Sequence, residues 1–128
     1  MIRSFIQTVF GILTFIPGVY NWRASKLGSG GSYSSRYCYT IWMRHIVLAY
    51  KSKLNYSPKV VAELGPGDSL GVGLMALLLG TNKYIACDVV EFSSVEKNLI
   101  ILEELLMMLR NKESIPDDSE FPRVIPRL

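Results

Sequence analysis

Two carboxylates and a pair of glycines stand in this chain at a spacing that can hold a polar ligand. The stretch Val60-Val61-Ala62-Glu63-Leu64-Gly65-Pro66-Gly67-Asp68-Ser69-Leu70-Gly71 sets Glu63 just ahead of a glycine turn. Asp88 follows twenty-five positions later, at the end of Tyr84-Ile85-Ala86-Cys87. Without Cβ atoms, Gly65 and Gly67 let the backbone bend sharply and let a ligand come within contact distance. The amides opening the next helix are expected to point into the same space. A carboxylate ending a strand is a hydrogen-bond acceptor at the carboxyl edge of the sheet, where open α/β folds bind ligands. Asp88 is suited to receive both hydroxyls of a ribose, because an amide in its place would supply only one good acceptor. No general base can be named. Tyr33, Tyr37 and His45 could line the mouth of such a site, but each reads first as a packing residue. His45 is the single histidine and has no partner in HxxxH or HxH spacing, so no metal site is expected.

These residues need a strand–turn–helix–strand to bring them together. Residues 59–64 form a near-continuous apolar run, as expected of a parallel strand buried on both faces. After the turn, Asp68 or Ser69 can accept from the first helical amides, residues 70–79 predict a very apolar helix, and Gly80 is a natural stop. Its small residues Gly71, Gly73 and Ala76 allow close packing on the sheet. Residues 83–90 predict the second strand, with Cys87 as a small buried hydrophobe. Ser93-Ser94-Val95-Glu96 reads as a capping box for a helix running to about Leu109. Val95, Leu99, Leu102, Leu106 and Leu109 are expected on its core face.

Upstream, Ser34 or Ser35 can cap a helix over 36–54 with apolar Tyr39, Trp42, Met43, Ile46, Ala49 and Tyr50, which Asn55 and Ser57-Pro58 end. Gly28-Ser29-Gly30-Gly31-Ser32 reads as a turn-rich connection. Residues 2–16 carry Ile2, Phe5, Ile6, Val9, Phe10, Leu13 and Ile16 at helical spacing. That apolar core is shorter than the ~20 residues a spanning helix needs. Two readings stay open for it, a helix packed on the protein or one lying in a membrane interface with Trp22 and Arg23 at its edge. Residues 1–57 thus read as a basic, mainly helical extension, 58–112 as a βαβα unit, and 113–128 as a loop or tail.

The 128 residues suffice for one small domain. A 49% apolar and 20% charged composition excludes a disordered chain. The net charge of +3 does not argue for nucleic acid, and none is expected as a partner. Charge is unevenly spread, with eight Lys or Arg and no acid up to Ala62, then six basic and eleven acidic residues. An acid-free half suits an anionic lipid, an anionic substrate or the acidic half of the same protein. Cys38 and Cys87 form no disulfide framework, so the reducing cytoplasm is the default location, with peripheral contact at the inner face of the membrane through residues 2–16 as a further expectation.

Two cofactor classes separate at the turn. A dinucleotide fingerprint, GxGxxG, would have a glycine where Leu70 stands, and Asp68 puts a negative charge where a pyrophosphate would sit. Glu63 ahead of the turn favours a cationic ligand. Glu63-Leu64-Gly65-Pro66-Gly67-Asp68-Ser69 resembles the first motif of class I S-adenosylmethionine-dependent methyltransferases, (Asp/Glu)-x-Gly-x-Gly-x-Gly, with Ser69 in place of the last glycine. Asp88 matches the acid that family carries at the end of its second strand. The segment from Arg36-Tyr37-Cys38-Tyr39 to Trp42-Met43-Arg44-His45 is similar, more loosely, to N-terminal helices of bacterial members.

The resemblance implies that S-adenosylmethionine is the cofactor, that Glu63, Leu64, Gly65, Pro66, Gly67 and Asp68 belong to its site, and that Glu63 and the Gly65–Gly67 backbone hold its methionine portion. It further implies that Asp88 binds the ribose and that Val89 lies beside the adenine. The reaction implied is methyl transfer to an acceptor, expected to be a small molecule or a glycan precursor. The match covers roughly residues 59–109 and reaches only the second strand of a many-stranded fold. The expected fold class is therefore α/β, an incomplete Rossmann-like methyltransferase fold with a helical N-terminal extension, and the chain reads as a fragment. Three alternatives stand beside it: an NAD(P)-dependent oxidoreductase fragment, a plain scaffold βαβ unit, and a non-catalytic, membrane-associated remnant.

Overall fold

A computed structural model describes residues 32–88 and 91–117, together with Ile16 and Gly18. The expected helix over 2–16, the 28–31 connection, Val89 and most of the expected tail lie outside the described residues.

The described chain is an α/β mixture of three helices and a two-stranded parallel sheet. Helix α1 (Ser35–Lys51) starts at Ser34, whose extended backbone lets its hydroxyl accept from the Tyr37 amide at 3.2 Å. Its last turn carries Lys51, a cation at the negative end of the helix dipole. Beyond it, Asn55 Oδ1 accepts from the Ser57 amide at 3.0 Å, and Pro58 leads into the sheet.

Strand β1 (Val60–Leu64) and strand β2 (Lys83–Cys87) pair in parallel, with Val60 opposite Lys83 and Leu64 opposite Cys87. The crossover between them carries helix α2 (Gly71–Leu78), which ends before Gly80 at φ +98°. The return is pinned twice: Thr81 donates its hydroxyl to the Pro58 carbonyl at 3.0 Å, and the Asn82 amide donates to Lys59 O at 2.9 Å. Helix α3 (Val95–Arg110) follows, capped by Ser94, whose hydroxyl accepts from the Lys97 amide at 3.3 Å. The cap is thus one residue later than a Ser93–Glu96 box would place it. The Glu96 carboxyl lies below the usual carboxylate range, because it accepts a backbone amide at the helix start and then the Ser94 hydroxyl.

The core lies among the three helices. Tyr39 and Trp42 of α1 meet Met75 and Ala76 of α2 and Ile101 and Leu105 of α3, with Val61 of β1 packed against them. Close approach is possible because α2 begins on glycine. A Cβ at Gly71 would lie 2.9 Å from Ile101 Cγ2 and would press on the side chain of Cys38. Past α3 the chain returns to α1. The Tyr39 hydroxyl donates to Glu113 O at 2.9 Å, and the Arg36 guanidinium lies 3.8 Å from the Glu113 carboxylate.

Three expectations about burial fail. The β1 residues are not buried on both faces: Val61 and Glu63 are half-buried, while Val60 is 57% and Leu64 84% exposed. Cys87 is exposed rather than buried. On α3 the buried pair is Ile101 and Leu105, whereas Val95 and Leu99 of the expected stripe face solvent. Among the described residues the packing partners lie on one side of the sheet only, toward α2, so apolar content outruns the surface available to cover it.

Candidate functional site

The two strands run in the same direction, so Glu63 and Asp88 arrive at the same carboxyl edge of the sheet. Between them the glycine turn rises from β1 with Gly65 at φ +70° and Gly67 at φ +81°, the left-handed region where a Cβ is unfavourable. A Cβ at Gly65 would meet nothing within 4 Å, so the space over it is open to a ligand. The Gly65 amide donates to Cys87 O at 2.8 Å, which continues the sheet pairing into the turn.

Asp88 and the turn are in direct contact. Gly67 N donates to Asp88 Oδ2 at 3.3 Å, so the carboxylate that ends β2 also holds the turn that leaves β1. Asp88 is exposed, while Pro66, Gly67, Asp68 and Ser69 are buried. Six of the eight positions read as cofactor-binding form one contiguous stretch from Glu63, near the end of β1, to Asp68 in the turn, and Asp88 is bonded to that turn at Gly67. The eighth, Val89, lies outside the described residues.

Glu63 itself faces α2. Strand alternation puts it on the same side as Val61, and Tyr84 of β2 donates its hydroxyl to Glu63 Oε2 at 2.5 Å. Burial, then the hydrogen bond to Glu63 and its charge, push the Tyr84 hydroxyl well above the ordinary tyrosine range.

At the entry to α2, three amides that were expected to point toward the ligand space are already bonded within the protein. The Ser69 amide donates to Ser32 Oγ at 2.9 Å, the Leu70 amide to Asn98 Oδ1 at 2.8 Å, and the Gly71 amide to Ser69 Oγ at 3.3 Å. Of the two proposed acceptors, Ser69 does accept from an early helical amide, but the principal caps come from other elements. Ser32 also binds the turn through the Ser69 hydroxyl, which donates to Ser32 O at 2.7 Å. The Ser32 hydroxyl has one proton and two carbonyls in reach, Pro66 O and Ser69 O. Neither Ser32 nor Asn98 was marked by the sequence, since each acts across a long loop and neither belongs to a motif.

A cavity of about 390 Å³ opens beside the turn, bounded by Ser32, Tyr33, Asp68, Ser69 and the α3 residues Lys97, Ile100 and Ile101. It includes Asp68 from the predicted set but not Glu63, Gly65 or Asp88, so it extends the turn's far side rather than the strand edge. Tyr33 lines it, as expected of a mouth residue. Tyr37 and His45 do not, and His45 Nδ1 lies 3.3 Å from Ile41 O one turn earlier in α1. Cys38 is buried, with its sulfur 3.7 Å from Ser69 Oγ, and burial raises its thiol pKa.

Among the described residues no group of three or more His, Cys, Asp or Glu could hold a metal ion, and no helix is long and apolar enough to cross a membrane. No family model, curated protein or solved structure matches the chain.

Proposed function

We propose that this chain supplies the cofactor-binding half of an S-adenosylmethionine-dependent methyltransferase. The observation that carries the reading is the hydrogen bond from Gly67 N to Asp88 Oδ2, which ties the glycine turn to the acid ending β2 at one sheet edge. A second observation favours this cofactor over a dinucleotide. The amides of Ser69, Leu70 and Gly71 at the entry to α2 are bonded to Ser32, Asn98 and the Ser69 hydroxyl, so these three are taken before a pyrophosphate arrives. The carboxylates of Glu63, Asp68 and Asp88 around the turn suit a ligand that carries positive charge.

In this reading Glu63 and the backbone of Leu64, Gly65, Pro66 and Gly67 hold the methionine side, Asp88 receives the ribose hydroxyls, and Asp68 borders the neighbouring cavity. The bound cofactor supplies a sulfonium methyl that is already activated. The protein's share is to orient it, exclude water and place an acceptor. The cavity of about 390 Å³ lies in the range of small-molecule sites, which favours a small molecule or the head of a glycan precursor as acceptor.

Titration calorimetry of the protein with S-adenosylmethionine and with NADH tests the reading. S-adenosylmethionine is expected to bind more tightly. Asp88→Ala is expected to weaken it by about 1–3 kcal/mol, the loss typical of hydrogen bonds to a charged acceptor. Tighter binding of NADH, or an unchanged affinity in Asp88→Ala, would sink it.

A further inference from the structure

Glu63 is a half-buried carboxylate on the helix-covered face of β1. Its Oε2 accepts a hydrogen bond from the Tyr84 hydroxyl, and that donor is neutral. Among the described residues no ion pair joins Glu63 to a lysine or arginine. The contact is built by three elements. Tyr84 stands opposite Val61 in the parallel register, so its ring shares the face of Glu63 and its hydroxyl reaches diagonally along the sheet. The ring lies against α2 at Gly73, where any Cβ would overlap it. Gly73 therefore provides the slot, β2 provides the phenol, and β1 provides the carboxylate.

We infer that Tyr84 is a positioning residue for ligand binding: it fixes Glu63 through Oε2 and leaves Oε1 to receive a cationic ligand group, an ammonium. This rests on the cofactor reading above, in which Glu63 meets the amino-acid end of S-adenosylmethionine. A side chain with three rotatable bonds would otherwise lose its freedom only when the ligand arrives, at a cost to affinity. Here the phenol holds it in advance. The phenol stays protonated across the working pH range, because burial and the adjacent carboxylate disfavour the phenolate. A neutral donor also leaves the negative charge of Glu63 in place, whereas a lysine there would cancel it. The ligand group that completes the pair is a cation.

The test uses the full chain and two ligands, S-adenosylmethionine and 5′-methylthioadenosine, which has the nucleoside but no ammonium. Tyr84→Phe keeps the ring over Gly73 and removes only the hydroxyl. It should weaken S-adenosylmethionine about tenfold and leave 5′-methylthioadenosine within about twofold. In a Glu63→Gln background the same substitution should have no further effect on S-adenosylmethionine. Unchanged S-adenosylmethionine affinity in Tyr84→Phe, equal weakening of both ligands, or additive losses in the double variant would each overturn the assignment. If the unsubstituted protein binds neither ligand, the cofactor reading fails first, and this assignment fails with it. Should Tyr84→Phe not fold, Tyr84→Met, which removes the hydroxyl and adds no bulk against Gly73, should reproduce the ligand-selective loss, and an equal loss for both ligands would overturn the assignment.

Discussion

Asp88 does two jobs with one side chain, as an acceptor for the Gly67 amide and as the exposed carboxylate at the end of β2. Tyr84 likewise joins fold and site, since its ring packs on Gly73 and its hydroxyl bonds Glu63. That second link has a pH signature. The fold favours the neutral phenol and raises its pKa above the ordinary value of ~10. The unfolded chain therefore ionises first as pH rises. The stabilisation is fully present below about 10 and is lost progressively above it. Chemical denaturation of the protein and of Tyr84→Phe from pH 8 to 11 should show the difference in stability between them shrinking toward the alkaline end. A constant difference would mean that the hydroxyl is not protected by the fold.

The elements meet at the N-terminus of α2, and that junction is a tertiary cap. Leu70 occupies the cap position and has no side-chain acceptor of its own. Asn98, one turn into α3, and Ser32, ahead of α1, supply acceptors instead. Removing either leaves an amide without its partner near a buried turn. Asn98→Ala and Ser32→Ala are each expected to cost about 1 kcal/mol, within the range for lost helix caps. Urea denaturation midpoints read this directly. Because Ser32 also bridges to Pro66 and Ser69, its loss should additionally increase hydrogen exchange at the turn amides, while Asn98→Ala should affect chiefly Leu70. Equal exchange in both variants would remove Ser32 from its role as a latch.

At the scale of the molecule, the described residues place α2 against one face of a two-stranded parallel sheet, with α1 and α3 packed on α2. The opposite face presents Val60, Leu64 and Ile85, at 57%, 84% and 39% exposure. Leu99, Ile100 and Met107 add exposed apolar surface on α3. Contiguous apolar surface drives association, and parallel strands are ordinarily covered on both faces. The protein is expected to self-associate as its concentration rises. Replacing Val60 and Leu64 by Thr should reduce the weight-average mass in sedimentation velocity without changing the far-ultraviolet circular dichroism. An unchanged mass would place the association elsewhere.

The order of elements, the glycine turn and the strand-end acids were legible in the sequence, because each depends on local chemistry. Glycine is needed where φ is positive, as at Gly65 and Gly67, apolar runs bounded by turn residues make short strands, and Ser34 can cap a helix from its own backbone. Which face each element buries was not legible. The α3 sequence is apolar on two stripes, so spacing alone could not choose Ile101 and Leu105 over Val95 and Leu99. The strands read as doubly buried because hydropathy records what a residue favours and not whether a partner is there to cover it. The pairings of Tyr84 with Glu63, Asn98 with Leu70 and Ser32 with Ser69 join positions 21 to 37 residues apart and follow no local pattern. Chain propensity determined the parts. Only the packing of α2 between α1, α3 and the sheet decided which side chains meet at the turn, because that contact depends on Gly71 and Gly73 admitting their neighbours.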